Sequence, residues 1–182
     1  VRAHPSREPN LTFVGRRLAE WLATQPLAAE LPFLPDLARL EWLVCAATHA
    51  AARPPLRLDA LAGLTPAEWE RARFAAQPSV GQIASAWPIL DLWRAHAVPR
   101  EQIDIDLADR PQRALVWRHG VEVRCEGLDA APFRLLEALR QGIPLGEMCA
   151  GWHESPGAAG SDPGTWLGRW AQQGLLVECW TE

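Results

Sequence analysis

Arg113-Ala114-Leu115-Val116-Trp117-Arg118-His119-Gly120-Val121-Glu122-Val123-Arg124-Cys125-Glu126 is the stretch that decides the fold. Residues 113–118 and 121–126 each alternate in the manner of a half-buried strand. His119-Gly120 between them is a two-residue hairpin signal, because glycine reaches the positive φ such turns need. Three helical patterns follow. Asp129 caps the first, which carries Phe133, Leu135, Leu136 and Leu139 and stops at Gly142. The second runs from Pro144 to His153. Ser155 to Gly160 reads as a flexible loop, and Asp162-Pro163 opens the third, with Trp166, Leu167 and Trp170, ended by Gly174. Leu175 to Trp180 is a closing strand. Residues 113–182 are thus expected to form a small α+β domain, winged-helix-like or RRE-like.

Upstream the periodicity is helical. Leu11, Val14, Leu18, Trp21 and Leu22 repeat at helical spacing behind Asn10, and Pro26 ends the run. Leu37, Leu40, Val44 and Ala47 mark a second helix entered through Leu34-Pro35-Asp36. Thr65-Pro66-Ala67-Glu68 is a capping box whose helix is expected to reach about Ala76. Val80 to Ser85 alternates like a short strand, and Pro88 to His96 is helical again. The expected organisation is a helical domain at 1–97, a linker at 98–112 and the α+β domain at 113–182.

Composition narrows the function classes. The 182 residues are 48% hydrophobic and 22% charged, which fits a packed globular protein. There is no Lys and no Tyr, and ten Trp supply large side chains for core and contact surfaces. Net charge is −4, and residues 111–182 hold six Arg against nine acidic residues. A nucleic-acid binder usually carries a basic stripe, and none is visible. No apolar run approaches a membrane span, and no signal peptide opens the chain, so the cytoplasm is the expected compartment. The first residue is Val1 rather than Met, which reads as a trimmed start.

No nucleophile elbow, phosphate loop, dinucleotide fingerprint or zinc-protease motif occurs, so no catalytic residue is assigned. Cys45, Cys125, Cys149 and Cys179 are widely spaced, unlike a disulfide framework or zinc ribbon. Cys45/His49 and Cys149/His153 share an i, i+4 spacing that would suit a Cys₂His₂ zinc site if two helices met. Buried thiols packing as small hydrophobes are the preferred reading, and no metal ligand is assigned. Asp104, Asp106 and Asp109 lack the glycine and glutamate of a calcium loop and read as solvated linker.

Several segments resemble a bacterial family. These are Arg2-Ala3-His4-Pro5 with Pro9-Asn10-Leu11, Leu31 through Trp42, Gln77-Pro78-Ser79-Val80 through Trp87-Pro88 to His96, and the hairpin at Leu115 to Val123. Their order and spacing are similar to the HvfC/BufC family of partner proteins, often labelled DNA-binding. Family members carry further helices ahead of the segment matched by Arg2 to Pro5. In starting there the chain resembles the methanobactin-biosynthesis branch, although a trimmed sequence would start there too.

The resemblance implies a non-catalytic subunit that forms a heterodimer with a multinuclear non-haem iron oxidase of TIM-barrel fold. It also implies engagement of the leader of a ribosomally made precursor peptide whose cysteines are modified, to an oxazolone with a neighbouring thioamide in the methanobactin branch. The iron then belongs to the partner, and this chain needs no cofactor of its own. An extended peptide would add to a free strand edge, with Val121, Val123, Cys125, Leu175, Val177 and Trp180 as the expected peptide contacts. Pro35, Asp36, Arg39 and Trp42 are the expected enzyme contacts. The alternative is a winged-helix-like DNA-binding transcriptional regulator, which the acidic second half disfavours.

Overall fold

In the computed structural model, residues 15–97, 99–107, 110–152, 158 and 162–181 are described, and they form an α+β protein. The helices and strands run α1 (Leu18–Ala23), α2 (Leu27–Glu30), α3 (Leu34–His49), α4 (Pro66–Arg71), β1 (Arg73–Ala76), β2 (Gly81–Ser85), α5 (Ile89–Ala95), β3 (Gln112–His119), β4 (Glu122–Gly127), α6 (Ala130–Arg140), α7 (Leu145–Ala150), α8 (Pro163–Gln172) and β5 (Leu176–Trp180). Short 3-10 turns occupy Leu58–Leu61 and Arg100–Gln102. The opening residues of the first helical pattern lie outside the described residues, as do the His153 end of the second downstream helix and most of the Ser155 to Gly160 loop.

Local chemistry places most starts and stops. Pro35 sits in the first turn of α3, where its missing N–H costs nothing. The capping box of α4 is formed in both directions: Thr65 Oγ1 accepts from the Glu68 N–H and the Glu68 carboxylate accepts from the Thr65 N–H. Those Thr65 bonds hold the Glu68 carboxyl below its usual range. Asp162 caps α8 by accepting from the Thr165 N–H at 3.0 Å.

Two local expectations need correction. The helix started by the capping box stops at Arg71, and residues 73–76 are strand rather than helix. There β1 pairs antiparallel with β5, with Phe74 opposite Cys179 and 1% exposed. Pairing and burial override the helical propensity of the alanines and arginines around it. The hairpin loop is Gly120-Val121, one residue later than expected, since His119 pairs with Glu122. Gly120, at φ +61°, takes the first loop position and Val121 keeps a negative φ, as a type II′ turn requires.

The sheets are β2-β3-β4 and β1-β5, all antiparallel. Each joins a strand from before residue 97 to a strand from residue 112 onward. Strand β3 lies at the centre. Leu115 and Trp117 point into a core with Leu135, Leu136 and Leu139 of α6, Leu167 and Trp170 of α8, and Phe74 of β1. Ala114 and Val116 point the other way, into a core with Leu40 and Ala47 of α3 and Ile89 and Leu90 of α5. The three-stranded sheet is therefore covered on both faces.

Arg118 fastens this arrangement. Its guanidinium donates to the carbonyls of Ala47 (3.3 Å), Thr48 (2.7 Å) and Ala50 (2.7 Å), the acceptors left open where α3 ends. Its own N–H donates to Ser79 Oγ at 3.3 Å. Hydrogen bonds from a charged donor contribute about 1.5–3 kcal/mol each, less where solvent reaches them. Arg118→Met should therefore lower stability by about 2–4 kcal/mol. Arg118→Lys should recover only part, because one ammonium cannot span three carbonyls. Urea unfolding followed by tryptophan fluorescence checks both.

Candidate functional site

The free edges of the sheet follow from hydrogen-bond parity. Leu128 N–H bonds Arg113 O, so Arg113, Leu115, Trp117 and His119 direct their main-chain groups toward β4. The alternate residues of β3 face β2, as the Arg118 N–H to Ser79 bond confirms. Gly81, Ile83 and Ser85, opposite Val116, Ala114 and Gln112, are then the ladder-bonded residues of β2. Gln82 and Ala84 turn their N–H and C=O outward, where no neighbouring strand lies among the described residues.

This edge runs between two clefts. One, of about 210 Å³, lies on the α3 side, walled by Ala19 of α1, Trp42 and Leu43 of α3, and Ile83, with Arg16 and Arg39 beside them. The other, of about 550 Å³, lies between β2 and α6, bounded by Gln82, Ala84, Phe133, Glu137, Arg140 and Gln141. Gln82 Nε2 reaches Phe133 O at 3.5 Å, while its Oε1 is buried without a hydrogen-bond partner among the described residues. Residues 81–85 carry no charge and no proline, the usual devices that blunt an edge strand.

A clamp sets the position of α3 beside this edge. Ser85 Oγ donates to Asp36 Oδ2 at 2.8 Å and accepts from the Trp87 N–H at 3.1 Å. Arg39 donates to the other Asp36 oxygen at 2.8 Å. Of the expected enzyme contacts, Asp36 is thus engaged within the fold, Arg39 and Trp42 wall the cleft, and Pro35 is half-buried in the first turn of α3.

The expected peptide contacts are scattered. Val121 is 96% exposed at the hairpin turn. Val123 and Cys125 pack against the α3/α5 core. On the outer edge of β4 the Cys125 carbonyl accepts from Arg94 at 3.3 Å. Leu175 is fully buried, Val177 is half-buried and Trp180 is 36% exposed. The outer edge of β5 is met by the Leu56 N–H, which bonds Leu176 O at 2.7 Å, and by Arg53, which pairs with Glu178 at 2.9 Å. Both of these edges are partly occupied by the chain itself. The alternation of Val80 to Ser85 did signal a strand, but nothing local marks that strand as an edge with clefts on both sides.

Three thiols are held in the protonated form by their surroundings. Burial pushes Cys125 up to about 11 despite the nearby Arg94 charge. Burial also raises Cys149, helped by Asp162, and Cys179. His49 Nδ1 lies 2.9 Å from the Cys45 carbonyl oxygen, and His153 lies outside the described residues. Among the described residues no group of three or more His, Cys, Asp or Glu is close enough to hold a metal, and no helix is long and apolar enough to cross a membrane.

Compared with family models and with curated proteins, the chain matches neither.

Parity makes a direct prediction. Ala84→Pro removes an outward N–H and should leave the melting temperature within a few degrees of the parent. Ile83→Pro removes a ladder bond and should unfold the protein or lower stability by about 3 kcal/mol or more. Thermal unfolding by circular dichroism checks the pair.

Proposed function

We propose that this chain is a non-catalytic partner subunit that binds an extended peptide by strand addition at β2. The observation that carries the reading is the outward-facing main chain of Gln82 and Ala84, set between two clefts. Adding a strand there satisfies four main-chain groups. At about 0.5–1.5 kcal/mol each they supply about 2–6 kcal/mol. Association costs at least about 4 kcal/mol. The main chain alone therefore gives weak binding at best, and the flanking clefts must supply the rest from peptide side chains.

The sequence resemblance gives this binding its context. In that reading the peptide is the leader of a ribosomally made precursor, its cysteines are the modified residues, and the chemistry belongs to a multinuclear non-haem iron oxidase in the cytoplasm. This chain presents the substrate and joins the oxidase as a heterodimer. Arg39 and Trp42, proposed as enzyme contacts on sequence grounds, wall a cleft of the groove. That placement supports a peptide running close to the enzyme.

Co-expression of the chain with a multinuclear non-haem iron oxidase and a short cysteine-containing precursor peptide from the same genome, followed by size-exclusion chromatography with light scattering, tests the proposal. A one-to-one complex with the oxidase is expected. Ala84→Pro should keep that complex and lose the precursor. Failure to form a complex with either protein contradicts the proposal.

A further inference from the structure

We infer that the β2 groove selects an acidic peptide that places one bulky apolar side chain toward α3 and a hydrogen-bond-donating side chain next to it toward α6. The inference rests on the strand-addition reading and adds the chemical class of the ligand.

The alternation of a strand sets the pattern. Side chains of an added strand fall in turn on the two faces of the sheet. Those on the Ile83 face enter the α1/α3 cleft, whose walls are Ala19, Trp42, Leu43 and Ile83. Its volume of about 210 Å³ suits one leucine-sized or phenylalanine-sized side chain rather than several. Side chains on the Gln82 and Ala84 face enter the α6 cleft, where Gln82, Glu137, Arg140 and Gln141 supply polar groups beside Phe133 and Ala84. The buried Gln82 Oε1, an acceptor without a partner among the described residues, favours a neighbour that donates a hydrogen bond.

The sign of the charge follows from the lining. Arg16, Arg39 and Arg140 border the two clefts, against the single carboxylate of Glu137. Arg39 is paired with Asp36, whereas Arg16 and Arg140 have no ion-pair partner among the described residues. With Asp36 and Glu137 both set against the three arginines, one positive charge remains beside the groove, a local reversal on a chain of net charge −4. Charge complementarity therefore points to an acidic occupant. A second copy paired edge to edge would bring arginines against arginines, which like-charge repulsion opposes.

A phage-displayed library of random twelve-residue peptides, panned on the full chain and in parallel on Ala84→Pro, tests the inference. Ala84→Asp serves as a second edge variant that keeps the backbone donor and adds a repelling carboxylate. The expected pool on the parent chain is net negative, with an apolar residue directly beside a Ser, Thr, Asn or Gln, and both edge variants lose it. A synthetic peptide from that pool should bind Arg140→Glu roughly tenfold more weakly and weaken with added salt. Peptides that need the edge but are neutral or basic would overturn the acidic assignment while leaving strand addition standing. Enrichment insensitive to Ala84→Pro, or no enrichment at all, would overturn both. A concentration-dependent dimer of the chain that Ala84→Pro abolishes would make the occupant a second copy and overturn the inference.

Discussion

Four consecutive residues of β3, Ala114 to Trp117, are between 0 and 3% exposed, so this strand must be covered on both faces along its middle. The constraint organises the molecule. A half-buried strand could sit on one layer of helices, but β3 needs two. The first half of the chain supplies one layer as α3 and α5, and the second half supplies the other as α6 and α8. Strands β2 and β4 must flank β3 for its main-chain groups to be satisfied, and Arg118 at its end holds the close of α3. Neither half of the sequence completes a sheet alone.

The same arrangement leaves β2 as an edge strand held between α3 and α6. Helices placed to cover β3 extend past it and become the walls of a groove alongside β2. On the opposite edge the chain partly covers itself, since Arg94 bonds the Cys125 carbonyl of β4 and Arg169 pairs with Glu126 at 3.0 Å. Burial raises the Glu126 carboxyl even with Arg169 beside it. The asymmetry between the two edges supports the reading of β2 as the docking edge: one is tied down by arginines of the same chain, and the other carries main chain with no strand partner among the described residues, beside apolar and cationic side chains.

Much of the local structure was legible in the sequence. The hairpin glycine, the Thr65-Glu68 capping box, Pro35 at the start of α3 and the apolar spacing of α6 and α8 each mark their element because the determining contacts lie within a few residues. What was hidden depends on distant partners. Residues 73–76 look helical until β5, about a hundred residues later, pairs with them and Phe74 enters the core. The main-chain direction of Gln82 depends on the β2–β3 register, a pairing with residues 112–116 that no residue near β2 announces. Val123 and Cys125 gave a good strand pattern, yet alternation alone does not tell a core-facing position from a ligand-facing one. The wall residues Arg16, Leu43, Phe133 and Arg140 carry no shared motif. They meet only because α1, α3 and α6 converge on one strand.

Amide hydrogen exchange in the chain, free and bound to the precursor peptide, tests the central claim most directly. In the free chain the Ile83 and Ser85 amides should exchange slowly and those of Gln82 and Ala84 quickly, because only the first pair donates into the sheet. On binding, the Gln82 and Ala84 amides should become protected while Val123 and Cys125 on the opposite edge do not change. Protection that appears at Val123 and Cys125 instead, with Gln82 and Ala84 still exchanging quickly, would contradict the account.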